Sequence, residues 1–287
     1  MGGDRLFPGA VGLVLARPPR LIGVEPFFME FIAGVEERLV ERDRSLLLHV
    51  VATQDAESAV YRRWREQGMV EAVVVVNRTA DDPRPGVLRA IGLPAVLVGE
   101  PAAGLPCVRT DDAAGARAAA QRLLALGHRR VARVSGPAAL LHTRARTAAV
   151  AAACAAAGAP EPLVVEGDYS EESGAKATAA LLRLSEPPTA VLYDNDVMAV
   201  AGLAAAKDLG VAVPGGLSIL AWDDSSLCRL ASPALSVMSV DVHRFGGVVA
   251  EAVLDLLDLP AGAAPVQRWS PAAAYLERGS TAPPGGT

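Results

Sequence analysis

Cysteine, aromatic side chains and surplus positive charge are all scarce in this 287-residue chain. Each shortage removes a class of protein. The three cysteines, Cys107, Cys154 and Cys228, are odd in number, widely spaced and without a Cys-x-x-Cys pair. They predict neither a disulfide framework nor a zinc site, and they suit a reducing cytoplasm. A formal net charge of −5 gives no general attraction to phosphate backbones, so the chain by itself is expected to bind nucleic acid poorly. Its basic islands, Arg17 with Arg20, Arg62 with Arg63 and Arg129 with Arg130, read as solvated helix ends or loops. The opening Met1-Gly2-Gly3-Asp4-Arg5 lacks the charged start, apolar stretch and cleavage site of a secretory signal, and no apolar run is long enough to span a bilayer. Enzyme signatures are missing too: there is no HExxH, GxSxG, GxxxxGK[ST] or GxGxxG. The histidines, His49, His128, His142 and His243, stand far apart, with no metal-ligand spacing. His128, after Gly127, is expected to cap a helix C-terminus.

What the chain does contain is 51% hydrophobic residues, enough for a large core in one α/β unit or two lobes. Short apolar or β-branched runs alternate with longer helical stretches, the pattern of parallel βαβ units. Strands are expected at Val11–Ala16, Ser45–Val51, Ala72–Val76, Ala95–Val98, Val131–Val134, Leu163–Val165, Ala190–Tyr193 and Leu217–Ala221. Helices are expected near Phe28–Glu41, Ser58–Gln67, Ala113–Leu126, Thr143–Ala157, Glu171–Leu184, Val197–Leu209 and Arg244–Leu257. Gly68, Gly127, Gly158 and Gly210 follow apolar-periodic runs, as helix-closing residues do. The alanine-rich tracts Ala148–Ala157 and Ala204–Ala206 read as helices packed closely on a sheet.

In open parallel sheets, ligands bind beyond the carboxyl ends of the strands, and those positions are polar here. Ala190–Tyr193 runs into Asp194-Asn195-Asp196, and Leu217–Ala221 into Trp222-Asp223-Asp224. Asp194 or Asn195 can cap the next helix and Asp224 a short turn before Leu227, whereas Asp223 sits at the strand exit and is harder to explain as a cap. Arg144 and Arg146 fall near a helix start, where a cation opposes the helix dipole unless an anion or polar ligand compensates. Of the two, Arg144 reads more readily as a solvated arginine, and Arg146 offers a planar fork for carboxylates, phosphates or vicinal hydroxyls. Among the few aromatics, Phe27, Phe28 and Tyr169 lie where a ring could stack on a ligand; a staple or core role is the competing reading for Phe27.

The ordered segments Glu25-Pro26-Phe27-Phe28, Leu124 through Val131, Val165 through Tyr169 with Glu171-Glu172-Ser173-Gly174, Asn195 through Ala199, Trp222-Asp223-Asp224 and Arg278 through Thr281 resemble the regulatory core of LacI/GalR-type transcriptional regulators, which is itself similar to periplasmic sugar-binding proteins. The resemblance runs from about Val11 to Thr281. It implies two similar doubly wound parallel-sheet lobes joined by three crossovers, the type I periplasmic binding protein-like fold. Residues 8–109 with 241–268 would form the N-terminal lobe, 110–240 with 269–282 the C-terminal lobe, and 283–287 a disordered tail. It also implies a small, sugar-like effector between the lobes, a homodimer, no enzyme activity, no cofactor, no metal and no membrane contact. Operator DNA would be reached only through a helix-turn-helix headpiece, which is expected to be absent from this chain. The implied ligand contacts are Phe27, Phe28, His142, Arg146, Tyr169, Asn195 and Asp223, with Arg17 and Glu100 added. Two positions depart from the family pattern: Gly99 stands where sugar-responsive members often have an acid, and Ala149-Val150 where a glycine and an aromatic are usual. Two other functions compete: a solute-binding protein of a sugar transporter, and a small metal-dependent enzyme built on Asp223 and Asp196.

Overall fold

The computed structural model describes residues 9–17, 26–260 and 264–285. Of the sequence expectations, Arg20, Glu25 and the last two tail residues lie outside them. The chain forms two compact units, and it passes from one to the other three times. Residues up to Thr110 with Asp241–Pro271 make the first, and Asp111–Val240 with the segment from Ala272 onward make the second.

In the first unit the strands are β1 (Ala10–Ala16), β2 (Ser45–Val51), β3 (Ala72–Val75), β4 (Ala95–Val98), β5 (Cys107–Arg109) and β11 (Gln267–Trp269). They pair in the order β11-β5-β4-β3-β1-β2, all parallel. Helices α1 (Pro26–Val40), α2 (Gln54–Gln67), α3 (Arg84–Ile91) and α9 (Val242–Asp258) accompany them. Helix α1 meets α9 with backbone against backbone at two glycines. A Cβ at Gly34 would overlap the His243 carbonyl, and one at Gly246 the Phe31 carbonyl. Glycine is therefore required there by the closeness of two backbones, an approach any side chain would block.

In the second unit the sheet order is β12-β10-β9-β8-β6-β7. Its members are β6 (Val131–Ser135), β7 (Leu163–Glu166), β8 (Ala190–Tyr193), β9 (Ser218–Trp222), β10 (Ser236–Ser239) and β12 (Ala274–Leu276). All pairs are parallel except β10 with β12. Side-chain alternation divides the core between the two faces of the sheet. Val191, Tyr193, Ile219 and Ala221 pack with Ala177, Leu181, Met198 and Leu203 of α6 (Glu171–Leu182) and α7 (Asp196–Asp208). Ala190, Leu192, Leu220 and Trp222 pack with Ala116, Leu123, Val150 and Ala153 of α4 (Asp112–Ala125) and α5 (Leu141–Ala156). The alanine tract of α5 is the small-residue face that lets this helix lie close to the strands.

The eight expected strands and seven expected helices are all present, displaced by a few residues at their ends. The additions are α3, the one-turn α8 (Ser226–Leu230), and strands β5, β10, β11 and β12. The four expected closing glycines have positive φ, from 62° at Gly68 and Gly158 to 99° at Gly127.

Several local expectations need correction. His128 does close α4, but through its backbone, whose N–H donates to the Leu123 carbonyl at 3.2 Å beside the Gly127 N–H on Leu124; the imidazole is buried, with Nδ1 2.9 Å from Thr189 Oγ1 and Nε2 3.1 Å from Ser218 Oγ and 2.9 Å from the Ala282 carbonyl. It thereby ties two strand ends to the C-terminal segment, and burial lowers its pKa. Asn195 caps α7, while Asp194 faces Arg133 instead. Ser225 caps α8, because Asp224 is taken by Arg278 at 2.8 Å. Part of the expected tail packs on the second unit, where Pro284 lies against Gly127.

Candidate functional site

Because β6, β7, β8 and β9 are parallel, their carboxyl ends share one edge of the second sheet, and the residues after them gather there. Gly136 follows β6, Tyr169 comes soon after β7, Asp194 and Asn195 follow β8, and Asp223 follows β9. Helix α5 adds His142 and Arg146 from its first two turns.

Arg146 is the centre of the group. Its Nε and Nη2 lie 2.8 and 2.7 Å from Asp112 Oδ1, and its Nη1 donates to the Asp194 carbonyl at 3.4 Å. The guanidinium carbon stands 3.7 Å from the centroid of the Trp222 ring, a cation–π stack that also fixes the plane of the fork. Burial opposes the charge, yet Asp112 and then Asp194 outweigh it and raise the pKa above the ordinary arginine value. Of the five N–H donors of a guanidinium, these contacts among the described residues use three.

Asp223 is the strained member. Its φ of 70° is in the left-handed region, unusual for a residue with a Cβ. Its Oδ1 is buried and has no hydrogen-bond partner among the described residues. Burial, and next the nearby Asp196, push the carboxyl up to about 8 against the pull of Arg146. A native structure rarely leaves such an oxygen unpaired, and such groups concentrate where a ligand completes the bonding.

Tyr169 has the same backbone strain, with φ 71°. Its hydroxyl is 2.9 Å from His142 Nε2, and its carbonyl accepts from Asn195 Nδ2 at 3.1 Å. The ring needs Gly136 beside it, since a Cβ there would overlap the hydroxyl. Asn195 performs two local tasks: Oδ1 accepts from Met198 N at 2.9 Å to cap α7, and Nδ2 holds Tyr169. Beneath them Arg133, in the middle of β6, is bound to both oxygens of Asp194 and also donates to Thr147 Oγ1 and to the Thr143 carbonyl. Asp194 Oδ2 in turn accepts from Gly136 N at 2.9 Å. One buried ion pair thus links β6, β8 and the helix that bears Arg146.

The structure therefore brings together His142, Arg146, Tyr169, Asn195 and Asp223. Phe27, Phe28, Arg17 and Glu100 belong to the first unit. There Phe27 stacks on Phe31 with centroids 6.2 Å apart, Phe28 is buried with Arg17 5.7 Å from its ring centroid, and Glu100 pairs with Arg109 at 3.0 Å. Sequence reasoning missed Asp112, Arg133 and the ring role of Trp222. Arg144 is exposed, as its solvated reading expected.

The Asp223 carboxyl has a consequence for stability. In the unfolded chain an aspartate titrates near about 3.9, so between that value and about 8 the folded protein holds a proton that the unfolded chain has lost. By linkage the contribution is complete below the lower value and disappears as pH rises through the upper one. Urea unfolding of wild type and Asp223→Asn across this range should give a stability difference that drifts against wild type up to about pH 8 and is flat above it. A difference that does not change with pH would mean that the carboxyl is ionised in the fold.

A family model described as "Periplasmic binding protein-like domain" matches residues 120–281. The transcriptional regulator AglR of Rhizobium meliloti is 33% identical over 75% of this chain, which spans 61% of that protein's length. A solved LacI family transcriptional regulator from Bifidobacterium animalis is 34% identical, with TM-score 0.86, the match covering 96% of this chain and 98% of the other. The solved complex of the transcriptional regulator CelR with cellobiose is 26% identical, with TM-score 0.87, the match covering 97% and 86%.

Proposed function

The chain belongs to the LacI family of transcriptional regulators and covers its effector-binding core, and on that premise we propose that it senses a small sugar-like metabolite whose binding alters the operator affinity of the full-length protein, a cytoplasmic homodimer. The observation that carries this reading is that Asp223 Oδ1, buried with no hydrogen-bond partner among the described residues, lies near the Arg146 guanidinium, of whose five donors the described residues use three. A vicinal pair of hydroxyls answers both, accepting from the guanidinium and donating to the carboxyl. His142 supplies a further polar group, bonded to the buried Tyr169 that Asn195 holds in place. CelR was solved with cellobiose, which supports a carbohydrate as the class to try first. The relatives named above are regulators of transcription, which favours this role over transport.

An effector changes operator affinity only in so far as it binds one arrangement of the regulator more tightly than the other. The test is calorimetric titration of cellobiose and a panel of neutral mono- and disaccharides into wild type and Arg146→Ala. Removing a buried, charge-assisted donor should weaken the sugar at least about thirtyfold, equivalent to about 2 kcal/mol. Equal affinity for both proteins would remove Arg146 from the site, and no binding by any sugar would sink the carbohydrate reading.

A further inference from the structure

The Arg146 fork, the obvious place for an anionic ligand to bind, is already neutralised from within the protein. Asp112, the first residue of α4, presents one oxygen to both Nε and Nη2 of Arg146, and both side chains are about nine-tenths buried. The other cation beneath the site, Arg133, is likewise spent on Asp194. Asp223, with Asp196 beside it, also lies near Arg146. A phosphate or carboxylate arriving here would have to displace Asp112 or set a second negative charge beside the Asp112 carboxylate in a desolvated corner, where Coulomb repulsion is poorly screened. A neutral polyhydroxy molecule meets no such barrier: its hydroxyl oxygens accept from the remaining Arg146 donors, and its hydroxyl protons go to Asp223.

Resting on the effector-sensing reading above, we propose that Asp112 is a specificity-determining residue, which cancels the charge of Arg146 so that the regulator answers to uncharged polyols and rejects their phosphorylated or oxidised, carboxylate-bearing counterparts. Exclusion comes from a charge already in place, and the same arginine that would attract an anion is kept for hydroxyls.

Inorganic phosphate is the probe, followed by calorimetry and by thermal unfolding at about 10 mM ligand, since a ligand that binds only the fold raises Tm. Wild type should show no Arg146-dependent phosphate binding. Asp112→Asn, which keeps the size of the side chain and removes its charge, should bind phosphate at least about tenfold more tightly than wild type, the effect expected when one charged hydrogen-bond partner is exchanged for another. The double variant Asp112→Asn/Arg146→Met should lose the gain. Asp112→Ser provides the same comparison should the amide impair folding, with far-UV circular dichroism as the control. Wild type binding phosphate through Arg146 as tightly as Asp112→Asn, or a folded Asp112 variant that gains nothing, would overturn the proposal. Failure of the effector reading looks different: Arg146→Ala would then leave sugar affinity unchanged, whatever phosphate does in the Asp112 variants.

Discussion

Arg133→Met is expected to lower the unfolding free energy by about 3–5 kcal/mol, the usual result of removing one partner from a buried ion pair. The two side chains are only 2% and 3% exposed, so water cannot take the place of the lost guanidinium, and the remaining Asp194 carboxylate would keep little beyond the Gly136 amide. Most of the loss is the cost of an isolated charge rather than the strength of the bond. It follows that Arg133→Met/Asp194→Leu should return to within about 1 kcal/mol of wild type. Urea unfolding of the three variants checks both statements. A single variant that loses less than about 1 kcal/mol would show that the pair is not held away from water.

Gly34→Val should be comparably severe in the other unit, costing about 3 kcal/mol or more. Here the obstacle is backbone: the carbonyl of His243 occupies the space a Cβ needs, and α9 can yield only by moving away from α1. Three rings, Phe27, Phe31 and Phe245, pack near that crossing and would lose contact together. Hydrogen exchange is the suitable measurement, because two units need not unfold as one. Protection should fall in α1 and α9 while amides of β6, β8 and β9 keep theirs. Unchanged protection in α1 would show that the helices can part without loss.

Much of the fold is legible in the sequence because its buried parallel strands are short apolar runs set off by glycines. Ala72–Val75 and Ala190–Tyr193 have no polar residue able to hide them. The strands that escape notice are of another kind. Ser236–Ser239 has serine at both ends, and Ser236 finds its partners, Ser280 and Thr281, far along the chain, while Gln267–Trp269 and Ala274–Leu276 are short pieces at sheet edges with alternately exposed residues. Helix α3 is concealed by Pro83 and Pro85, which read as loop until one notes that proline suits a helix start. At the site, Arg146 and Asp223 announce themselves by position, one opposing a helix dipole and the other at a strand exit. Asp112 does not, since its partner is 34 residues away and nothing in a single helix start distinguishes it from an ordinary acid in a first turn. His128 shows the same division: its place at a helix end follows from Gly127 and is seen in the backbone, whereas the partners of its imidazole, Thr189 and Ala282, are tertiary.

The three passages of the chain between its units impose an order on biosynthesis. The first unit contains Asp241–Pro271, and without α9 and β11 the face of α1 and the edge of β5 stay bare. Synthesis runs from the N-terminus, so the first unit cannot close until Asp241–Pro271 has followed its earlier piece, and the unit encoded between the two pieces can be the first to complete its sheet core. During that interval the earlier piece of the first unit waits for the later one, which makes this unit the natural client of whatever holds nascent proteins apart.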